Sequence, residues 1–122
     1  MTQKPILSVT ASMLAEIASR ELGGAFGKIT ERTVRFYTSQ GLISKPAREG
    51  DDKRQALYGY GQLIQLKYTL ILSRLGVPLP AIKEKLDGAY LPQAELQAEK
   101  LAQLQAMIDE IIRGKEDNRD SL

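Results

Sequence analysis

The chain has 122 residues, of which 43% are hydrophobic, and a formal net charge of +2; this length suits one small domain with an additional helix. It contains no cysteine and no histidine, which excludes disulfides, thiolate metal sites and thiol redox switches, and removes the commonest general base. No segment has membrane-spanning length or a signal-peptide pattern, so we expect a cytoplasmic protein. We also expect that it uses no cofactor.

The charge is unevenly distributed along the chain. Residues 1–76 carry eleven Lys and Arg against six Asp and Glu, a net +5, whereas residues 77–122 carry six against nine, a net −3. This separation predicts that the front half binds a polyanion.

Two short helices are predicted first, after a loose lead-in over residues 1–10. Helix one begins near Ala11, capped by Thr10 or Ser12, and the Gly23-Gly24 pair ends it. A glycine-rich connection leads to helix two, which is predicted from Glu31 to Gln40. Thr30 is its expected N-cap and Gly41 takes the position after its end.

A small β-hairpin is predicted next. Two short apolar pieces, Leu42-Ile43 and 56–58, flank a polar run that contains Gly50, Asp51 and Asp52. This pattern is typical of two strands joined by a long, flexible tip.

Three more helices are expected in the second half. Residues 61–75 are apolar on most sides, which predicts a helix in the middle of the core that ends at Gly76. A short helix begins near Pro80 and ends at Gly88. The last helix covers residues 92–113, ends at Gly114 and is followed by a flexible tail over 114–122.

The last helix carries an apolar stripe with the three-and-four spacing of a coiled coil. A two-heptad seam is marginal by itself, so the stripe indicates either dimerisation or a helix folded back on its own domain. Its residues are Leu101, Leu104, Ile108 and Ile111.

The order of these elements is that of a mainly α winged helix-turn-helix domain over residues 11–88, in which helix two enters the DNA major groove. Arg32, Arg35, Phe36 and Ser39 share one face of that helix because they are spaced i, i+3, i+4 and i+7. Arginine pairs bidentately with guanine or phosphate, and Thr33 can reach a base edge or a phosphate. The alternative is that the arginines are merely solvated and the rings belong to the core.

The hairpin is the second predicted DNA-binding element. Basic residues cluster in it, and Tyr58 closes it; such a wing can lie along the phosphate backbone. An ordinary polar loop is the alternative, since Glu49, Asp51 and Asp52 offset much of its charge. The predicted wing contacts are Lys45, Arg48, Lys53, Arg54 and Tyr58.

Two blocks of sequence resemble the MerR family of transcription regulators. The segment "TVRFYTSQGLISKPAR" is similar to the family's Thr-x-Arg-Tyr-Tyr segment followed by Gly-Leu-(Leu/Ile)-x-Pro-x-Arg. The segment "YGYGQLIQLKYTLILSRLGVPLPAIKEKL" is similar to the part that follows the wing. The resemblance places Thr33, Arg35, Phe36 and Tyr37 on the recognition helix. With Thr30 and Arg32, these are the predicted DNA contacts of helix two. The resemblance departs at Phe36, which lacks a hydroxyl, and at Ala56, which replaces a wing arginine for which Arg54 is the candidate substitute.

The resemblance implies a sequence-specific homodimer that pairs through the C-terminal helix. Such regulators bind palindromic promoter DNA and distort it so that RNA polymerase can engage. The expected protein partner is RNA polymerase or another regulator. Without cysteines, no built-in metal or redox sensor is expected. Two other classes stay open, an excisionase-like architectural DNA-binding protein and a protein-interaction module. An enzyme is not expected, because neither a catalytic constellation nor a Walker-spaced phosphate loop is present.

Overall fold

The computed structural model describes residues 7–26, 28–48, 56–88 and 91–120, with side chains in these ranges except at residues 24–25, 48 and 115–120. This part of the chain forms a mainly helical fold with one antiparallel hairpin, so the predicted fold class of a helix-turn-helix domain with a C-terminal helix is confirmed. Its elements are α1 (Ala11–Leu22), a 3-10 turn (Gly23–Phe26), α2 (Glu31–Ser39), β1 (Ala47–Arg48), β2 (Ala56–Leu57), α3 (Tyr60–Arg74), α4 (Leu79–Gly88) and α5 (Leu91–Asp120).

The first two helices begin and end where local signals predict. The hydroxyls of Thr10 and Thr30 each accept from the backbone N–H three residues further on, at 3.3 and 3.4 Å. Gly23 ends α1 with a φ of 73°, and Gly41 follows α2 with a φ of 78°. Glycine adopts this left-handed conformation at little cost, so both helices can stop there. Helix α2 ends at Ser39, one residue before the predicted end.

Helix α3 is the central element of the core, as its apolar sequence predicts. Its Leu66 and Ile71 are completely buried, and the other elements pack around it. Burying each such side chain contributes roughly 1.5–3 kcal/mol relative to leaving it exposed. The largest fully buried side chains around α3 are Leu14, Val34, Leu42, Ile43 and Ile82.

The hairpin is shorter than predicted, and its first strand lies elsewhere. Leu42 and Ile43 are not a strand: they are buried in the turn after α2, where both N–H groups bond to the Tyr37 carbonyl at 3.0 and 3.3 Å. Because these donors already satisfy the end of α2, they are not available to a strand ladder. The first strand begins at Ala47, which pairs with Leu57.

The described end of the lead-in is bound to the wing, so the prediction of a loose segment is wrong for residues 7–10. Val9 forms a bridge with Tyr58, with N–H···O distances of 3.0 Å from Val9 and 2.7 Å from Tyr58. The bridge holds the base of β2 beside the start of α1.

Helix α5 begins at Leu91 and continues through Gly114 to Asp120, so the predicted helix end at Gly114 is wrong. A single interior glycine costs only about 1 kcal/mol relative to alanine, and most of the residues around it are good helix formers. No helix in the described part of the chain is both long enough and apolar enough to cross a membrane.

One face of α5 packs against α3. The buried residues in the described part of α5 are Ala94, Ala98 and Gln105. The small alanine side chains let the two helices approach closely. The Gln105 amide donates to Asp109 at 2.8 Å, and Asp109 also pairs with Arg74 of α3 at 3.6 Å. The α3–α5 contact therefore combines small apolar residues with buried polar groups.

The hydroxyl of Tyr60 on α3 donates to the carboxylate of Glu95 on α5, and this contact predicts a loss of stability at alkaline pH. Burial, together with the hydrogen bond and the negative charge of Glu95, raises the pKa of Tyr60 to about 12. The unfolded chain titrates this group near pH ~10, so it loses the proton first. The stability contributed by neutral Tyr60 is therefore complete below pH ~10 and is lost as the pH rises towards ~12.

Denaturant titration between about pH 9 and about pH 11 measures this loss as a falling free energy of unfolding. Tyr60→Phe should show a shallower decline. The free energy of unfolding of Tyr60→Phe should still fall somewhat with pH, since burial also raises the pKa of Tyr68. Identical slopes for the wild-type protein and Tyr60→Phe would contradict the prediction.

Candidate nucleic-acid interface

Helix α2 has one buried and one exposed face. Val34 is completely buried and Tyr37 is 9% exposed, whereas Phe36 is 48% exposed and both Arg32 and Arg35 face solvent. The structure thus brings the two arginines and Phe36 together on the exposed face, as their spacing predicts. Of the two rings, only Tyr37 belongs to the core; its centroid lies 5.7 Å from that of Phe36.

An open cleft of about 840 Å³, here called the wing-side cleft, lies between α2, the start of α1 and the base of the hairpin. Arg35 and Lys45 contribute positive charge to it, and several hydroxyl groups line it. Such a combination can bind a polyanion backbone. The lining residues are Thr10, Ala11, Glu31, Arg35, Thr38, Ser39, Lys45, Pro46, Ala56 and Tyr58.

A second open cleft, of about 430 Å³, lies on the opposite side of α2, towards the start of α4. Helix α2 is therefore a ridge between two clefts, with Arg35 on the wing side and Arg32 on the α4 side. The lining residues are Arg32, Thr33, Phe36, Tyr37, Ser73 and Leu79.

Arg35 forms an ion pair that the sequence reading missed. Its Nη2 lies 2.6 Å from Oε1 of Glu31, one helical turn earlier, and the Arg35 side chain is 72% exposed. The i, i+4 spacing of opposite charges is the signal that could have revealed the pair. It restricts the direction of the guanidinium in the wing-side cleft.

The two threonines at the start of α2 have a structural role. The Thr30 hydroxyl caps the helix and lies 3.3 Å from the Thr33 hydroxyl. Thr33 is half-buried and lines the α4-side cleft. Their capping bonds fix the start of α2 and, with it, the position of Arg32 and Arg35.

The predicted wing contacts are described only in part. Lys45 is exposed in the wing-side cleft. The Arg48 backbone belongs to β1, but its side chain, like all of Lys53 and Arg54, lies outside the described residues. Tyr58 is buried, and its hydroxyl lies 3.2 Å from the Thr38 hydroxyl of α2. This contact joins the hairpin to α2.

Two glutamines of α3 hold the base of the wing, and the sequence reading missed both. Gln65 accepts from the Ser44 N–H at 2.8 Å and donates to the Ser44 hydroxyl at 3.0 Å. Gln62 donates to the Ser44 and Lys45 carbonyls at 3.4 and 3.3 Å. No local pattern marks these residues, because their partners are far away in the sequence.

The four predicted dimerisation residues of α5 have two different environments. Leu101 is half-buried against the core of its own domain. Leu104 is 48% exposed, Ile108 37% and Ile111 57%. Met107 is also exposed, and it lies on the same side of the helix as these three. The exposed residues Leu104, Met107, Ile108 and Ile111 are called the α5 stripe below.

Comparison with known families agrees with this architecture. A family described as MerR HTH family regulatory protein matches residues 19–89, more than half of the chain. The matched range includes α2, the hairpin, α3 and α4. No curated protein and no solved structure matches the chain significantly. The chain therefore belongs to the MerR family of helix-turn-helix regulators, a family of DNA-binding transcription regulators and not of enzymes.

Proposed function

We propose that this protein is a sequence-specific regulator that binds palindromic promoter DNA as a homodimer and distorts it, without a metal or redox sensor in these residues. The observation that carries the proposal is the exposed face of α2. Arg32 and Arg35 stay at the surface beside Phe36, while Val34 and Tyr37 anchor the opposite face in the core. A helix fixed in this way can present arginine donors to the edges of bases in the major groove.

The wing-side cleft supports a contact with the phosphate backbone next to α2. Lys45 and the start of α1 line the cleft, and the glutamines of α3 hold its wing side in place. If wings grip the DNA outside both recognition helices, they can bend it. A smooth bend of roughly 40–90° costs roughly 1–6 kcal/mol, which the additional backbone contacts must offset.

The α5 stripe supports the homodimer. Its four apolar residues are exposed on a helix that already packs against α3 with a different face. About 100° around the helix separates Leu104 from the buried Gln105, so both faces can be occupied at the same time. A dimer of this kind places two α2 helices on two half-sites, whose spacing the dimer sets.

Binding to the protein's own upstream DNA and to a scrambled duplex, over a series of salt concentrations, tests the proposal. We expect tighter binding to the upstream fragment. With about six phosphate contacts, affinity should fall by about 10³ between about 50 and about 200 mM salt. Equal affinity for both duplexes favours an architectural protein. No binding to either at low salt favours a protein-interaction module.

Selection of binders from a pool of randomised duplexes then distinguishes the two DNA-binding classes. A homodimer with two-fold symmetry should recover inverted half-sites. Tandem half-sites would instead indicate an excisionase-like mode. The recovered sequence, called the selected duplex below, is the substrate for the variants that follow.

A further inference from the structure

Glu31 is an acidic residue in a cleft that otherwise suits a polyanion. Among the described residues that line the wing-side cleft, it alone carries a negative charge. Its side chain is 45% exposed and pairs with Arg35 at 2.6 Å. An acid in the first turn stabilises a helix, but this one also lines the cleft and pairs with an arginine that is proposed to contact DNA. Its place beside Arg35 therefore calls for a role in binding.

Arg35 can meet two kinds of acceptor on DNA. Phosphate oxygens carry a full negative charge, which the nearby Glu31 carboxylate repels. The O6 and N7 atoms of guanine are neutral acceptors and are not repelled in the same way. A guanidinium that gives one N–H to Glu31 still has further donors for a guanine edge. The paired Arg35 should consequently favour guanine over phosphate.

We propose that Glu31 is a positioning residue that gives Arg35 its preference for guanine by disfavouring its contact with phosphate. The inference rests on the proposed function, since it assumes that α2 contacts DNA. Glu31 acts through Arg35: the ion pair sets the direction of the guanidinium, and the carboxylate weakens binding to DNA that lacks the matching guanine. Glu31 thus lowers the affinity for DNA in general and raises the preference for duplexes that carry the matching guanine.

Glu31→Gln tests this role, with Glu16→Gln as a matched control. Glu16 pairs with Arg20 on α1 at 3.3 Å with the same i, i+4 spacing, and its side chain is 61% exposed. Both changes remove one negative charge and one ion pair. The readouts are the dissociation constants for the selected duplex and the scrambled duplex, with a thermal melt to verify the fold.

Glu31→Gln should tighten binding to the scrambled duplex by up to about fivefold, the effect of one exposed charge pair, and improve binding to the selected duplex much less. The ratio of the two affinities then falls. Glu16→Gln should leave that ratio unchanged, because a remote charge affects both duplexes alike. Glu31→Asp keeps the charge and should largely keep the ratio.

The Arg35→Ala background determines whether the effect passes through Arg35. If it does, adding Glu31→Gln to Arg35→Ala leaves the affinity ratio where Arg35→Ala alone puts it. An additional loss of selectivity in the double variant would overturn the inference, because Glu31 would then read a base itself. If the wild-type protein binds selectively and Glu31→Gln has the same ratio of affinities for the two duplexes, the inference is overturned but the proposed function is not. Failure of the wild-type protein to bind either duplex overturns the proposed function as well.

Discussion

Replacing Arg35 with alanine is expected to weaken binding to the selected duplex by about 5- to 150-fold, because a bidentate arginine–guanine contact is worth roughly 1–3 kcal/mol. The fold should persist. The Arg35 side chain is 72% exposed, so its removal opens no cavity. The lost ion pair with Glu31 stabilises α2 by only about 0.2–0.5 kcal/mol. Fluorescence anisotropy on the selected and scrambled duplexes measures the effect.

Arg20→Ala is the matched control for this prediction. Arg20 forms the corresponding i, i+4 pair with Glu16 on α1, and its side chain is 74% exposed. It lines neither cleft. Arg20→Ala should therefore reduce affinity for both duplexes slightly and equally. An Arg35→Ala variant that keeps the wild-type affinity for the selected duplex would remove Arg35 from the recognition role.

Helix α2 could be predicted almost completely because the interactions that define it are local. Thr30 caps α2 through an N–H only three residues away. Gly41 stops the helix with its own backbone conformation. The separation into buried Val34 and exposed Arg35 follows from the helical period alone. The cap, the stop and the helical period are all set by α2 and the residues next to it.

The base of the wing could not be predicted because distant residues build it. Leu42 and Ile43 are apolar, and Ile43 is β-branched, as is typical of a strand, yet the end of α2 uses their N–H groups. The residue that pairs with Tyr58 outside the hairpin is Val9, which forms an isolated bridge from a segment without any recognisable pattern. Gln65 is polar, so the sequence alone predicts a surface residue. Only the fold brings Ser44, 21 residues away, within hydrogen-bond distance of it.

The role of α5 could be predicted only in part. Heptad spacing identified an apolar stripe, and Leu104, Ile108 and Ile111 are indeed exposed. The face that packs on α3 escaped notice because it consists of Ala94, Ala98 and Gln105, which carry little hydrophobic signal. Sequence periodicity thus identified the apolar stripe of α5 but did not reveal that another face of the same helix packs against the domain.

Leu104→Glu is expected to convert the protein from a dimer to a monomer at micromolar concentration, because a charge would be buried in an apolar seam. Leu104 is 48% exposed in the single chain, so the glutamate should lower the stability of the folded monomer only slightly. Sedimentation measures the assembly state, and a thermal melt verifies the fold. A variant that still sediments as a dimer would contradict the assignment of the α5 stripe.

The loss of the dimer should also change DNA binding in a way that a local defect would not. Linking two recognition helices raises affinity by about 10²–10⁴ over one, so Leu104→Glu should lose that factor on the selected duplex and bind a single half-site as the wild-type protein does. Ala106→Glu is the matched control, because it adds the same charge at an exposed position about 160° around the helix from Leu104 and at least about 100° from every member of the α5 stripe. It should sediment and bind DNA like the wild-type protein. Equal losses in both variants would show that charge on α5, and not the seam, governs DNA binding.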